Sequence, residues 1–152
     1  MKMIKQAVTA FMLLAGSLFS FTAMAEVSIA TPAVSGYDVV SYFTDSGPTR
    51  GDGSFVSEYN GVTYLFASAD NKSTFESDPE KYLPAYGGFC AMGVAMGKKF
   101  YVDPLAFRIV DGTLYLNLNK TIQKKWLEDV PSNIAKADTN WTKIENTPAA
   151  QL

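Results

Sequence analysis

Histidine is absent from this chain of 152 residues, and cysteine occurs once, as Cys90. Without imidazole there can be no Ser-His-Asp or Cys-His nucleophile pair, no histidine general base and no metal site that needs a histidine ligand. A single cysteine cannot form an internal disulfide, so the fold must be held by its hydrophobic core. Hydrophobic residues make up 47% of the chain, which is enough to build one.

A strong positive charge is also missing. The chain has 13 basic and 15 acidic residues, a formal net charge of −2 at pH 7. No basic cluster is longer than Lys98-Lys99 or Lys124-Lys125, so the electrostatic signature of a nucleic-acid-binding protein is lacking. No pair of carboxylates suggests acid-base catalysis. We therefore predict no nucleic-acid partner, and we favour a binding protein over an enzyme.

The first 25 residues have the pattern of a secretory signal peptide. Lys2 and Lys5 precede an apolar run that ends in Ala23-Met24-Ala25, a small-x-small cleavage pattern. We predict cleavage of residues 1–25, Sec-dependent export and a periplasmic location. No other stretch approaches ~18 consecutive apolar residues, so no membrane span is expected after cleavage.

The remaining sequence predicts one domain with short ends. Residues 26–35 show no clear hydrophobic period and are expected to form a flexible tail. Residues 36–146 form the predicted single domain, and residues 147–152 are expected to be frayed. No internal repeat is visible in the sequence.

Two turn signals predict two β-hairpins. Asn60-Gly61 and Asp111-Gly112 each separate two short runs rich in β-branched and aromatic residues. Ser68, Asp78 and Asn119 are expected to cap short helices, and the last helical stretch is expected to be interrupted at Pro131. The sequence therefore predicts an α+β fold in which a small antiparallel sheet of two hairpins packs with several short helices.

Several motifs together resemble the YHS-domain family, specifically its exported stand-alone members. They are Gly36-Tyr37-Asp38, Tyr64-Leu65-Phe66-Ala67-Ser68, Asp78-Pro79-Glu80-Lys81-Tyr82 and Gly87-Gly88-Phe89-Cys90. The resemblance implies a candidate metal-binding module. The cysteine pair usual in that family is replaced here by Ala67 and Asn71, so a zinc-like site does not carry over.

Cys90, Met92 and Met96 are the predicted metal ligands. Thiolate and thioether sulfur suit Cu(I) far better than Zn²⁺, Ca²⁺ or Mg²⁺. Gly87-Gly88 breaks the chain before a short helix predicted from Phe89 to Met96, which places Cys90 in the first turn. Backbone N–H groups there favour the thiolate form.

Three other interpretations remain open at this stage. Cys90 and the two methionines can simply fill the core, because free cysteine and methionine are common there. Cys90 can instead serve thiol redox chemistry with an external partner, since the chain has no second cysteine to resolve a disulfide. Finally, the protein can be a non-catalytic interaction module that binds a small ligand or another protein.

Overall fold

Two β-hairpins and five α-helices make up residues 31–152, the part of the chain that the computed structural model describes. The α+β prediction is confirmed, although the hairpins form two separate two-stranded sheets rather than one. The elements in chain order are β1 (Asp52–Tyr59), β2 (Val62–Phe66), α1 (Ala69–Ser77), α2 (Pro79–Tyr82), α3 (Ala91–Ala95), β3 (Asp103–Val110), β4 (Thr113–Asn117), α4 (Lys120–Leu127) and α5 (Val130–Ile144). Short 3₁₀ turns occupy Ala33–Gly36, Ser41–Phe43, Ala85–Gly88 and Ala149–Gln151.

Both hairpins form at the predicted loops. Asn60 and Gly61 have φ values of 51° and 74°, and Asp111 and Gly112 have 48° and 77°. This left-handed pair matches the right-handed twist of the flanking strands, which is why Asn-Gly and Asp-Gly are favoured there. The strands of each hairpin pair antiparallel.

Strand β4 is buried on both faces. Leu114, Tyr115, Leu116 and Asn117 are all buried, whereas Leu118, just after the strand, is 41% exposed. Leu114 and Leu116 belong to a first hydrophobic core and Tyr115 to a second. Strand β4 therefore lies between the two cores.

The structure contains an internal repeat that the sequence does not reveal. In the first hairpin Asp52 pairs with Phe66, and in the second Asp103 pairs with Asn117, a spacing of 51 residues (103 − 52). Every other paired position and the register shift recur at the same spacing. We call residues 32–82 the first unit and residues 84–144 the second. The repeat was not visible in the sequence because only a few residues, such as Tyr64 and Tyr115 or Leu65 and Leu116, are identical at equivalent positions.

The helices that follow each hairpin start in the same way. Ser68 Oγ accepts a hydrogen bond from Asn71 N at the start of α1, and Asn119 Oδ1 accepts one from Ile122 N at the start of α4. Helices α2 and α5 then follow Asp78 and Asp129. The caps from Ser68 and Asn119 each satisfy an amide that has no partner within its helix, whereas the expected cap Asp78 precedes α2 without a side-chain hydrogen bond to it.

Each unit begins with a 3₁₀ turn in an unusual backbone conformation. Pro32 and Pro84 each precede three residues with positive φ. They are Val34, Ser35 and Gly36 in the first unit, and Tyr86, Gly87 and Gly88 in the second. Each turn is followed by an aromatic residue, Tyr37 or Phe89, and then by Asp38 or Cys90. Asp38 and Cys90 are therefore counterparts.

The C-terminal helices differ from expectation in one detail. The break lies between α4 and α5, and Asp129 caps α5 through Ser132 N, so Pro131 belongs to the first turn of α5. This position suits proline, because the first-turn N–H groups have no helical acceptor. The predicted interruption is thus displaced by two residues.

The ends of the described chain pack against the rest. Val34 is buried in the first core although it falls within the tail predicted for residues 26–35. Lys98 Nζ donates to Leu152 O, and Lys99 Nζ donates to Glu145 O and Thr147 O. The predicted signal peptide lies outside the described residues. Within residues 31–152 no helix has the length and apolarity to cross a membrane.

Candidate metal site around Cys90

Cys90 caps the short helix α3 and does not lie in its first turn. Its backbone has φ −58° and ψ 116°, and the helix begins at Ala91. The chain reaches this position through Gly87 and Gly88, with φ values of 61° and 81°. Cys90 N donates to Phe100 O at 3.0 Å, which fixes the cysteine against the segment before β3. The side chain consequently points into the second unit.

The sulfur is buried and lies among backbone N–H groups. Cys90 is 1% exposed. Its Sγ accepts hydrogen bonds from Leu118 N at 3.2 Å and from Gly93 N at 3.4 Å. The Sγ–H faces Asn117 Oδ1 at 3.8 Å. N–H donors favour an electron-rich sulfur, the form in which cysteine binds metals.

The two methionines occupy different environments from the cysteine. Met92 is partly buried and packs against the second core. Met96 follows the last residue of α3 and is 67% exposed. The structure therefore separates the predicted ligands by exposure, with Cys90 inside, Met92 at the edge of the core and Met96 on the surface.

Phe100 packs over the first turn of α3. A Cβ added at Gly93 would lie 2.7 Å from Phe100 Cδ2 and 3.5 Å from Cys90 Cβ. The aromatic ring thus approaches the helix at the one residue without a side chain, next to the cysteine. Phe100 is itself 42% exposed. The Phe100 ring is therefore a partly exposed neighbour of Gly93, three residues from the cysteine.

Residues 31–152 contain no group of three or more histidine, cysteine, aspartate or glutamate side chains placed to hold a metal ion. A site around Cys90 would therefore depend on sulfur ligands from cysteine and methionine. Such ligands are soft, and a set of one thiolate with thioethers suits Cu(I) better than Ca²⁺ or Mg²⁺.

Residues 40–86 match the family model of the YHS domain. The chain contains a YHS domain. This is a family of candidate metal-binding domains. A search of curated proteins and a search of solved structures each gave no match.

The YHS match covers most of the first unit and ends before Cys90. It begins at Val40 and stops at Tyr86, within the second 3₁₀ turn. The predicted ligands Cys90, Met92 and Met96 lie beyond it. Any role for these residues must therefore be argued from their own geometry.

Sequence reasoning missed Asn117 and Leu118, which contact the sulfur. Leu118 supplies only its backbone N–H, which no side-chain pattern reveals. Asn117 is completely buried, and its Nδ2 has no hydrogen-bond partner. Trp126 Nε1 is the other buried side-chain donor in residues 31–152 without an acceptor. The only sequence signal for Asn117 was a polar residue at the end of the otherwise mostly apolar strand β4.

A second polar contact joins Tyr86 of the second core to helix α5. Tyr86 donates from its hydroxyl to Asp138 Oδ1 at 2.8 Å. Burial, and after it this hydrogen bond to a carboxylate, raises the pKa of Tyr86. Burial also raises the pKa of Tyr115, with Asp138 a smaller cause. These tyrosines are therefore neutral hydrogen-bonding groups at ordinary pH.

A cavity of about 250 Å³ opens between the two 3₁₀ turns of positive φ. Val34 and Ser35 line one side, Gly87 and Gly88 the other, and Tyr101 stands beside them. The lining is mostly apolar and does not include Cys90. This cavity and the cysteine are therefore separate features of the molecule.

Proposed function

We propose that this protein is a small exported binding module that holds a soft metal ion, Cu(I), at Cys90. The observation that carries the proposal is the pair of N–H donors, from Gly93 and Leu118, that converge on the Cys90 sulfur. They stabilise the electron-rich sulfur that a soft metal requires. The YHS domain in residues 40–86 supports a role in metal binding. The signal-peptide pattern supports the periplasm as its location.

Met92 is the favoured second ligand, and Met96 the ligand that first meets the metal. Met92 lies two residues from Cys90 and is already partly buried. Met96 offers an exposed thioether at the end of the same short helix. A metal ion captured at the surface would pass to Cys90 when the Phe100 ring moves aside.

An anaerobic Cu(I) titration of residues 26–152 against a competing chelator tests this proposal. Cys90→Ala should lower the affinity by at least about tenfold, because it removes the only thiolate ligand. Met92→Leu should lower it less, and Met96→Leu should mainly slow uptake. Tyr101→Phe is the matched control, since it alters an exposed side chain that has no sulfur. An affinity that Cys90→Ala leaves unchanged would contradict the proposal.

The exposed side chains near α3 favour a second candidate, an interaction module. Met96, Phe100 and Tyr101 are 67%, 42% and 83% exposed and lie within six residues of one another. Exposed apolar side chains at such density are typical of a surface that meets a partner.

A thiol-redox role with an external partner is less favoured, because the 1% exposure of Cys90 keeps its sulfur from a partner's disulfide.

A further inference from the structure

An indole ring covers the left-handed 3₁₀ turn of the second unit. A Cβ added at Gly87 would meet the ring of Trp141, from helix α5, at 3.7 Å. The ring centroids of Trp141 and Tyr86 are 5.8 Å apart, and those of Tyr86 and Tyr115 are 5.9 Å apart. The turn and the neighbouring strand β4 therefore form an aromatic surface that a residue of α5 covers.

The first unit has the same turn and strand, but the helix at the position of α5 is much shorter. Helix α2 has four residues, whereas α5 has fifteen. The residues that correspond to Tyr86, Gly87 and Tyr115 are Val34, Ser35 and Tyr64. All three of these first-unit residues line the cavity of about 250 Å³. The cavity thus corresponds to the place that Trp141 fills in the second unit.

The backbone of the two turns supports this correspondence. Ser35 has φ 54° and ψ 31°, and Gly87 has φ 61° and ψ 22°. Because these angles are nearly equal, a side chain leaves the two turns in the same direction. The Cβ of Ser35 points toward the cavity just as a Cβ at Gly87 would point toward Trp141.

Tyr64 supplies a hydroxyl group without a partner. Tyr64 is 6% exposed, and its hydroxyl has no hydrogen-bond partner among residues 31–152. The fully enclosed side-chain donors without a partner in that range belong to Asn117 and Trp126, so the Tyr64 hydroxyl reaches open space, and Tyr64 lines the cavity. A mostly buried donor without a partner is costly, which favours a ligand that has a polar group.

The rest of the lining suits an uncharged molecule. The cavity lining within the described residues contains no charged side chain. Burial, and after it the nearby Tyr59, raises the pKa of Tyr64, so its hydroxyl is also neutral at ordinary pH. Phe89 and Tyr101 stand on the side of the second unit, with ring centroids 6.4 Å apart. Aromatic rings on both sides favour a flat aromatic ligand.

We propose that the cavity between the two 3₁₀ turns binds a neutral aromatic molecule of about the size of indole, which packs on Val34 and Tyr64 as Trp141 packs in the second unit. The polar group of the ligand forms a hydrogen bond with the Tyr64 hydroxyl, which can donate or accept. This site goes beyond the proposed Cu(I) site, because Cys90 does not line the cavity.

An NMR titration of residues 26–152 with indole tests the inference without any metal. Saturable amide shifts are expected at Ser35, Tyr64 and Gly87, with a dissociation constant at or below about 1 mM, a range open to so small a ligand. Val62→Trp should weaken binding at least about tenfold, because Val62 lines the cavity and a strand accepts the larger ring.

Val56→Trp is the matched control for Val62→Trp. Both valines belong to the first hairpin, they are 38% and 39% exposed, and Val56 does not line the cavity. The control should bind indole as the unaltered protein does. An absence of saturable shifts, or an affinity that Val62→Trp leaves unchanged, would overturn the inference. Binding of a tryptophan-containing peptide without binding of indole would assign the cavity to a protein partner and overturn it as well.

Tyr64→Phe tests the hydrogen bond and keeps the aromatic ring. It should weaken the binding of indole about threefold to tenfold, the effect of one neutral hydrogen bond. It should leave the affinity for 1-methylindole unchanged, because that probe has no N–H group. A Tyr64→Phe variant that binds indole as tightly as the unaltered protein would contradict recognition by the hydroxyl. The Cu(I) titration of Cys90→Ala is independent of these results.

Discussion

Cys90 and Asp38 show how one backbone arrangement can hold two different side chains. In both units the acceptor meets the N–H of the residue three positions later and the N–H that follows a hairpin strand. The backbone donors are the same, but the acceptor has changed from oxygen to sulfur. The proposed metal site is placed at Cys90 and not at Asp38 because sulfur is the softer ligand.

Tyr86 should make the stability of the folded protein depend on pH in the alkaline range. Burial and the Asp138 hydrogen bond raise its pKa in the folded state above the ordinary value of about 10. The stabilisation is therefore complete below the unfolded value and is lost as the pH rises from there through the folded value. Tyr86→Phe should flatten the loss of stability between about pH 9 and 11, measured by urea unfolding at each pH.

Tyr101→Phe is the control for this experiment, because Tyr101 is 83% exposed. It should leave the alkaline slope as in the unaltered protein. A Tyr86→Phe variant with the same slope as the control would show that the Tyr86 hydroxyl does not contribute to alkaline unfolding.

Among the elements, the two 3₁₀ turns differ in how well their residues suit the backbone. Ser35 adopts φ 54° where its counterpart Gly87 adopts φ 61°. A left-handed conformation costs a residue with a side chain roughly 1–2 kcal/mol, whereas glycine adopts it freely. Ser35 is exposed, so its side chain contributes little packing in return.

Ser35→Gly should therefore raise the free energy of unfolding by about 1 kcal/mol, measured by chemical denaturation. The reverse substitution, Gly87→Ser, should lower it by a similar amount. A Cβ at Gly87 would lie 3.7 Å from Trp141, an ordinary contact, so strain and not a clash would cause the loss. If both substitutions stabilised the protein, or if neither did, the result would contradict a cost of the left-handed backbone at Ser35.

The sequence predicts those elements whose signals are local. Asn60-Gly61 and Asp111-Gly112 specify their loops, and Ser68 and Asn119 cap the helices that follow. The left-handed turn at Val34 could not be predicted, because a β-branched residue is unfavourable there and surrounding packing must impose it.

The site around Cys90 was predictable only in part. Its position beside α3 follows from the glycines before it. The donor from Leu118 is 28 residues away along the chain and belongs to the backbone. The exposure of Met96 depends on where α3 packs. Local sequence contains neither kind of information.

At the scale of the whole molecule, the two units have the same backbone arrangement and build the hydrophobic cores together. Leu114 and Leu116 from the second unit complete the first core, and Tyr115 between them joins the second core. The first unit carries most of the YHS match, with a fully partnered carboxylate at Asp38. The second unit has the cysteine and the unpartnered donors.

X-ray absorption at the copper edge of the anaerobically loaded protein, residues 26–152, tests the central claim most directly. We expect Cu(I) with sulfur neighbours, including one thiolate sulfur that disappears from the spectrum of Cys90→Ser. A first shell of only nitrogen and oxygen, or a spectrum that Cys90→Ser leaves unchanged, would contradict the account.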